Sequence, residues 1–169
     1  MAKRSTATKE TGSTAVAVPV PAAARSGPVS HAIFRVARLH RMIAGNLLRP
    51  IGLHPGLVLV MMHLWEFGPQ RQTDLIRLLD SDAATMTRTI RRLEHAGFVR
   101  RAPSPGDKRA SLIEPTPASR GLRTQVEAIW NQLEEIAVGG MGKREQQTVV
   151  DVLEGLEERL SRASVLPRH

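Results

Sequence analysis

Thr85, Thr87, Arg88, Arg91 and Arg92 lie together in the stretch DSDAATMTRTIRRLEHAGFV. A threonine hydroxyl can donate to or accept from a base edge. An arginine can pair with guanine or grip a phosphate. Ala83 and Ala84 open the same stretch, so a helix starting there has a slim exposed face, which is what entry into the major groove demands. Thr85, Thr87 and Arg88 are therefore assigned to base edges or nearby phosphates, with Arg91 and then Arg92 following one turn later. A second basic group, Arg100, Arg101, Lys108 and Arg109, follows Gly97. On a hairpin these four would approach the sugar-phosphate backbone or a groove.

The elements needed to hold these groups can be read from the same residues. Asp82 is a polar N-cap, and Ile90 and Leu93 recur at helical spacing, predicting a helix from about Asp82 to Ala96 that Gly97 stops. Phe98 and Val99 begin a strand, Pro103, Pro105 and Gly106 predict a turn, and Leu112 and Ile113 lie on a return strand. Before this unit, Leu75, Ile76, Leu78 and Leu79 predict a short helix over about 72–79, and Asp80-Ser81 is the turn between the two. The run from Pro55 to about Phe67 is apolar nearly all round, which marks a central, buried helix. A first helix runs from Ser30 to about Leu48. Two more, about 118–138 and 143–160, carry the stripes Leu122, Val126, Ile129, Trp130, Leu133 and Ile136, then Val149, Val152, Leu153, Leu156 and Leu160. A small winged domain offers no mate for these stripes, so with the first helix they predict a separate helical dimerisation layer.

The charge of the chain has a polarity. The total is +8, with no cysteine among the 169 residues. Residues 29–116 carry thirteen basic and seven acidic side chains, whereas residues 117–161 carry five and eight. The positive part coincides with the proposed reading head, as a polyanion partner such as DNA requires. Without cysteine there is no disulfide, thiolate nucleophile or cysteine-ligated zinc. The six histidines match no metal spacing, and there is no Gly-rich phosphate loop or nucleophile elbow. The sequence is thus read as a non-enzyme with no cofactor and no metal. No apolar run approaches the roughly 20 residues of a membrane span, and a cytoplasmic protein without membrane contact is expected. Residues 1–28 are rich in Ala, Thr, Pro and Val without periodicity and are expected to form a disordered basic tail. The boundaries predicted are 1–28 for this tail, 29–52 for the N-terminal dimerisation helix, 53–116 for the DNA-binding region, 117–161 for the C-terminal dimerisation helices and 162–169 for a second tail.

Leu93-Glu94, two residues, Gly97-Phe98-Val99, one residue, Arg101, and then Asp107-Lys108-Arg109 resemble the winged helix-turn-helix of the MarR family of transcription regulators. The resemblance extends from about His31 to Leu160. It implies a mainly α fold with a small β-hairpin wing and a helical dimerisation layer. It also implies a homodimer on double-stranded DNA at a pseudo-palindromic operator, often released by a small ligand. In that family the wing Asp-x-Arg buttresses the tip and inserts the arginine into the minor groove; by position these are Asp107 and Arg109. Relatives usually place Ser or Thr where this chain has Arg71, a poor N-cap, so the helix beginning at Gln72 is expected to be less firmly started. The family's effector junction lies among the first, central and long helices. His31, Arg35, His63 and Trp65 are the candidate liners there, for an aromatic or anionic ligand. Against this stands the reading of Trp65 and His63 as core residues. Two rival functions remain: an architectural protein that coats DNA with little sequence choice, and a winged-helix module that binds protein.

Overall fold

The computed structural model describes residues 20–104 and 107–164, and leaves the side chains of 107–110 and 164 outside the description. Most of the proposed tail, residues 1–19, falls outside the described residues, as do Pro105 and Gly106 of the predicted turn. The chain divides into two compact units, Met1–Ala37 and Arg38–His169. In the first, Ala22–Ser26 form a short 3-10 helix with no buried residue. Helix α1 (Pro28–Leu48) then begins, two residues earlier than Ser30 predicted. Pro28 suits this place because a first helical residue has no intrahelical partner for an N–H.

The second unit is built on one core. Helix α2 (Pro55–Phe67) runs through its centre and buries Leu57, Val58, Val60, Met61 and Leu64. His54 caps its start, its Nδ1 accepting the Gly56 N–H at 3.2 Å. Gly68, in the left-handed region at φ 72°, ends it. Helix α3 (Gln72–Leu78) buries Leu75, and helix α4 (Ala83–His95) buries Met86, Ile90 and Leu93. Leu75, Ile90, Leu93 and Ile113 are all fully buried. Burying a side chain of this size contributes about 1.5–3 kcal/mol, so Ile90→Ala would cost about 2–5 kcal/mol through lost transfer energy and a cavity.

Both ends of α4 are fixed by local chemistry. Asp82 caps the start, its Oδ1 accepting the Thr85 N–H at 2.8 Å. At the other end Gly97 takes φ 75°, its N–H donates to the Glu94 carbonyl, and the Phe98 N–H donates to the Leu93 carbonyl. This is the paired closure that a left-handed residue allows after a helix, and Phe98 packs, half-buried, against the core. Asp80, at φ 45°, plays the same part after α3, where the Ser81 N–H reaches the Ile76 carbonyl. An aspartate tolerates that region better than most residues.

The hairpin consists of β2 (Val99–Ser104) and β3 (Asp107–Pro115), and a two-residue strand, β1 (Gln70–Arg71), pairs with the far side of β3. The predicted turn therefore begins later than its prolines suggest. Pro103 lies within β2, opposite Ser111, with a register shift at Pro103/Ser104. Since β2 is an edge strand, a residue without an N–H is tolerated there. β1 was not predicted. It aligns Gln70 with Ile113 and Arg71 with Leu112, and it supplies what the cap lacks. Arg71 makes no side-chain capping bond, and the start of α3 is held by the sheet instead.

Helix α5 (Ser119–Val138) buries Ser119, Leu122, Val126 and Leu133. Helix α6 (Lys143–Ser164) buries none of its described side chains: Val152, Leu153 and Leu160 are each more than half exposed. No single helix among the described residues is long and apolar enough to cross a membrane.

Candidate nucleic-acid interface

On α4, Met86, Ile90 and Leu93 face inward, while Ala83, Ala84, Thr85, Arg88, Arg91 and Arg92 are exposed. Helical spacing thus gathers the small opening residues and the three arginines on the solvent side. The predicted residues are not equivalent, however. The Thr85 hydroxyl donates to Asp82 Oδ2 at 2.6 Å and accepts from Arg88 Nη2 at 3.2 Å. Thr87 is half-buried. Its hydroxyl donates to the Ala83 carbonyl at 2.7 Å and accepts from Gln72 Nε2 at 2.9 Å. Thr87 therefore joins α4 to α3 as well as lying beside the exposed face.

Asp82 is exposed and acceptor-only. The Thr85 hydroxyl, and next the Thr85 backbone N–H, hold its carboxyl below the usual aspartate value, because both bonds favour the charged form.

Arg100 and Arg101 leave the helix on β2, and both have carboxylate partners. Arg100 pairs with Glu114 on β3. Arg101 Nε donates to Glu94 Oε1 on α4 at 3.1 Å, and its Nη2 donates to Gln72 Oε1 at 3.4 Å. Arg91 and Arg92, by contrast, have no acidic partner among the described residues. Asp107, Lys108 and Arg109 stand at the start of β3, with Asp107 opposite Ser104, but their side chains lie outside the described residues.

The hairpin is tied at its base. The Thr116 hydroxyl donates to the Gly97 carbonyl at 2.6 Å, and the Thr116 N–H donates to the Phe98 carbonyl at 2.9 Å. Ser119 donates to the Thr116 carbonyl at 2.7 Å and accepts the Trp65 indole N–H at 3.1 Å. Nothing in the sequence singles out Ser119, Thr116 or Gln72. Their partners lie 54, 19 and 15 residues away, beyond any local pattern.

A cavity of about 440 Å³ opens between α2 and α5, with Met62, His63, Trp65, Arg123 and Trp130 among its lining residues. Two of the predicted ligand residues, His63 and Trp65, line it. His63 also stacks on Phe67, with ring centres 5.6 Å apart. The other two, His31 and Arg35, are half-buried on α1 within the first unit. Arg123 is paired with Glu127 at 2.8 Å. No group of three or more His, Cys, Asp or Glu among the described residues is placed to hold a metal ion.

Residues 53–111 match the MarR family. YwoH of Bacillus subtilis (strain 168), an uncharacterized HTH-type transcriptional regulator, is 39% identical over 83 residues. That alignment takes in 49% of this chain and 60% of YwoH, so the chain matches about three fifths of that relative's length. A probable transcriptional regulator from Pseudomonas aeruginosa is similar in structure at 28% identity and a TM-score of 0.64, over 73% of this chain and 96% of that one. A cysteine-to-serine mutant of MarR from E. coli, complexed with operator DNA, shares the fold at 20% identity and a TM-score of 0.73, over 81% of this chain and 99% of that one. Residues 53–111 thus resemble the MarR family, and the chain shares its fold with these solved regulators.

Proposed function

We propose that the chain is a sequence-specific, DNA-binding transcription regulator that acts as a homodimer on a pseudo-palindromic operator and carries out no catalysis. The observation that carries this reading is the exposed face of α4, where small residues open the helix and Arg88, Arg91 and Arg92 follow, opposite buried Met86, Ile90 and Leu93. In this reading α4 enters the major groove, with Thr85 and Arg88 nearest the base edges and Thr87 beside them. Arg91 and Arg92 meet phosphates. The wing, with Arg100, Arg101, Asp107, Lys108 and Arg109, follows the backbone, and Arg109 enters the minor groove. An E. coli relative with this fold has been captured on operator DNA.

The uncovered apolar side chains of α6 support the homodimer. A helix of 22 residues with an apolar stripe in water is marginal without tertiary packing, and a second copy would cover it. Two-fold symmetry of the protein then sets two-fold symmetry of the site. Helix α1 and helices α5 and α6 would supply the dimer layer, and residues 53–116 the reading head.

The α2–α5 cavity is the proposed effector site. Trp65, Trp130 and Met62 suit a small aromatic ligand better than an anion, since the one arginine on its lining already has Glu127. The work of such a regulator lies where the DNA is, in the cytoplasm.

Selection of bound fragments from a genomic DNA pool tests the reading, followed by titration of the selected site and of random DNA at several salt concentrations. A specificity ratio above roughly a thousand is expected. Equal affinity for all DNA would leave an architectural coat, and no binding would leave a protein-interaction module.

A further inference from the structure

The hydroxyl hydrogens of both threonines assigned to base edges are spent inside the protein. A carboxylate can only accept, so the 2.6 Å contact between Thr85 Oγ1 and Asp82 Oδ2 has Thr85 as donor. A guanidinium can only donate, so the 3.2 Å contact from Arg88 Nη2 occupies a lone pair of the same oxygen. Thr87 likewise gives its hydrogen to the Ala83 carbonyl and a lone pair to Gln72. Asp82 fixes the polarity at Thr85, and its exposed carboxylate stands within hydrogen-bond reach of the side chain that faces the groove.

We propose that Asp82 is a specificity-determining positioning residue, which makes Thr85 meet DNA with a lone pair and a methyl group and no donor. The inference rests on the DNA-reading function above. An A·T pair presents an adenine amino hydrogen and a thymine methyl in the major groove. A G·C pair presents two acceptors on its guanine and an amino hydrogen on its cytosine but no methyl, so a Thr85 without an outward donor can use neither guanine acceptor and gains its methyl contact only at A·T. Thr85, so held, matches A·T. Reading of guanine passes to Arg88, whose remaining N–H groups stay free to donate and whose position is steadied by the Thr85 oxygen. The depressed pKa of Asp82, caused first by the Thr85 hydroxyl, agrees with this direction of donation.

Asp82→Asn separates polarity from capping. Asparagine caps a helix as well as aspartate does, so its Oδ1 keeps the Thr85 N–H. Its amide then donates to the Thr85 oxygen, which turns the hydroxyl hydrogen outward. The experiment is selection from a randomised duplex pool by the full chain, by Asp82→Asn and by Thr85→Ser, with melting temperatures measured alongside. The unmodified chain should select A·T at one symmetric pair of positions. Asp82→Asn should move the A·T to G·C ratio there by about fivefold or more, the scale of one mismatched pair, with the other positions and the melting temperature unchanged. Thr85→Ser, which keeps the hydroxyl and loses the methyl, should weaken the A·T preference without gaining G·C. The same motif from the native chain and Asp82→Asn would overturn the proposal and leave the DNA-reading function standing. So would a loss spread evenly over all positions, which would make Asp82 a cap alone. Failure of the unmodified chain to select any motif would overturn both.

Discussion

Gln72 Nε2 donates to Thr87 Oγ1 at 2.9 Å, joining the first residue of α3 to the reading helix. The other end of the same amide accepts from Arg101, which is paired with Glu94. One side chain thus connects α3, α4 and β2. Gln72→Ala should lower stability by about 0.5–1.5 kcal/mol, the net worth of a hydrogen bond. It should also weaken DNA binding, because Thr87 and Arg101 lose their fixed orientation. A urea titration reads the first effect as a lower midpoint at constant slope. An unchanged midpoint would show that the amide carries nothing.

The arginines should divide by their partners. Arg91→Ala or Arg92→Ala should each make the dependence of DNA affinity on salt shallower by about one unit, as one lost phosphate contact does. Arg100→Ala should change it less, because Glu114 already neutralises Arg100. Glu114→Gln should then strengthen binding to all DNA alike. Binding titrations at four salt concentrations separate these cases, and equal slopes for Arg91→Ala and Arg100→Ala would contradict the division.

Leu153 is 54% exposed on a helix that fully buries none of its described side chains. Leu153→Asp should convert a dimer into monomers, since an unpaired charge in a dry interface is costly. Light scattering at micromolar concentration gives the mass directly. A monomeric unmodified chain would remove the homodimer from the proposed function.

Acid should act on the start of α4. The Thr85 hydroxyl holds the Asp82 carboxyl below the ordinary aspartate value of 3.8. The folded chain therefore binds that proton less readily than the unfolded one. The share of stability from Asp82 is complete above 3.8 and is lost as the pH falls through the lower folded value. Urea midpoints of the native chain and Asp82→Asn should run parallel at neutral pH and diverge only below about pH 4. Parallel curves throughout would show that the ionised state of the cap adds nothing.

Much of this arrangement was legible in the residues. The apolar periods of α2, α4, α5 and α6 fixed those helices to within a few residues, because each element's burial pattern is local. Asp82 and Gly97 marked the ends of α4 by their own backbone chemistry. Strand β1 was not legible, since two residues have no period and Gln70–Arg71 becomes a strand only by pairing with β3. The state of Arg100 and Arg101 was hidden for a similar reason. Glu114 lies across the hairpin and Glu94 on the preceding helix, and only the fold brings either within reach. The same holds for Ser119, which receives the Trp65 indole and gives Trp65 a structural tie as well as a place on the cavity wall.

The two bonds from Thr116 to the carbonyls of Gly97 and Phe98 close the hairpin on itself at its root. Val99 and Ile113 still pack into the core, so only the outer end of the hairpin is a detour from the body. The length of the detour is then free to vary without moving the helices that carry it. In the proposed dimer on DNA, residues added or removed at 105–106 would change how far along the duplex each protomer extends, while the spacing between the two reading heads would stay as the dimer sets it. Footprint length and half-site spacing become separately adjustable quantities, and one threonine keeps them apart.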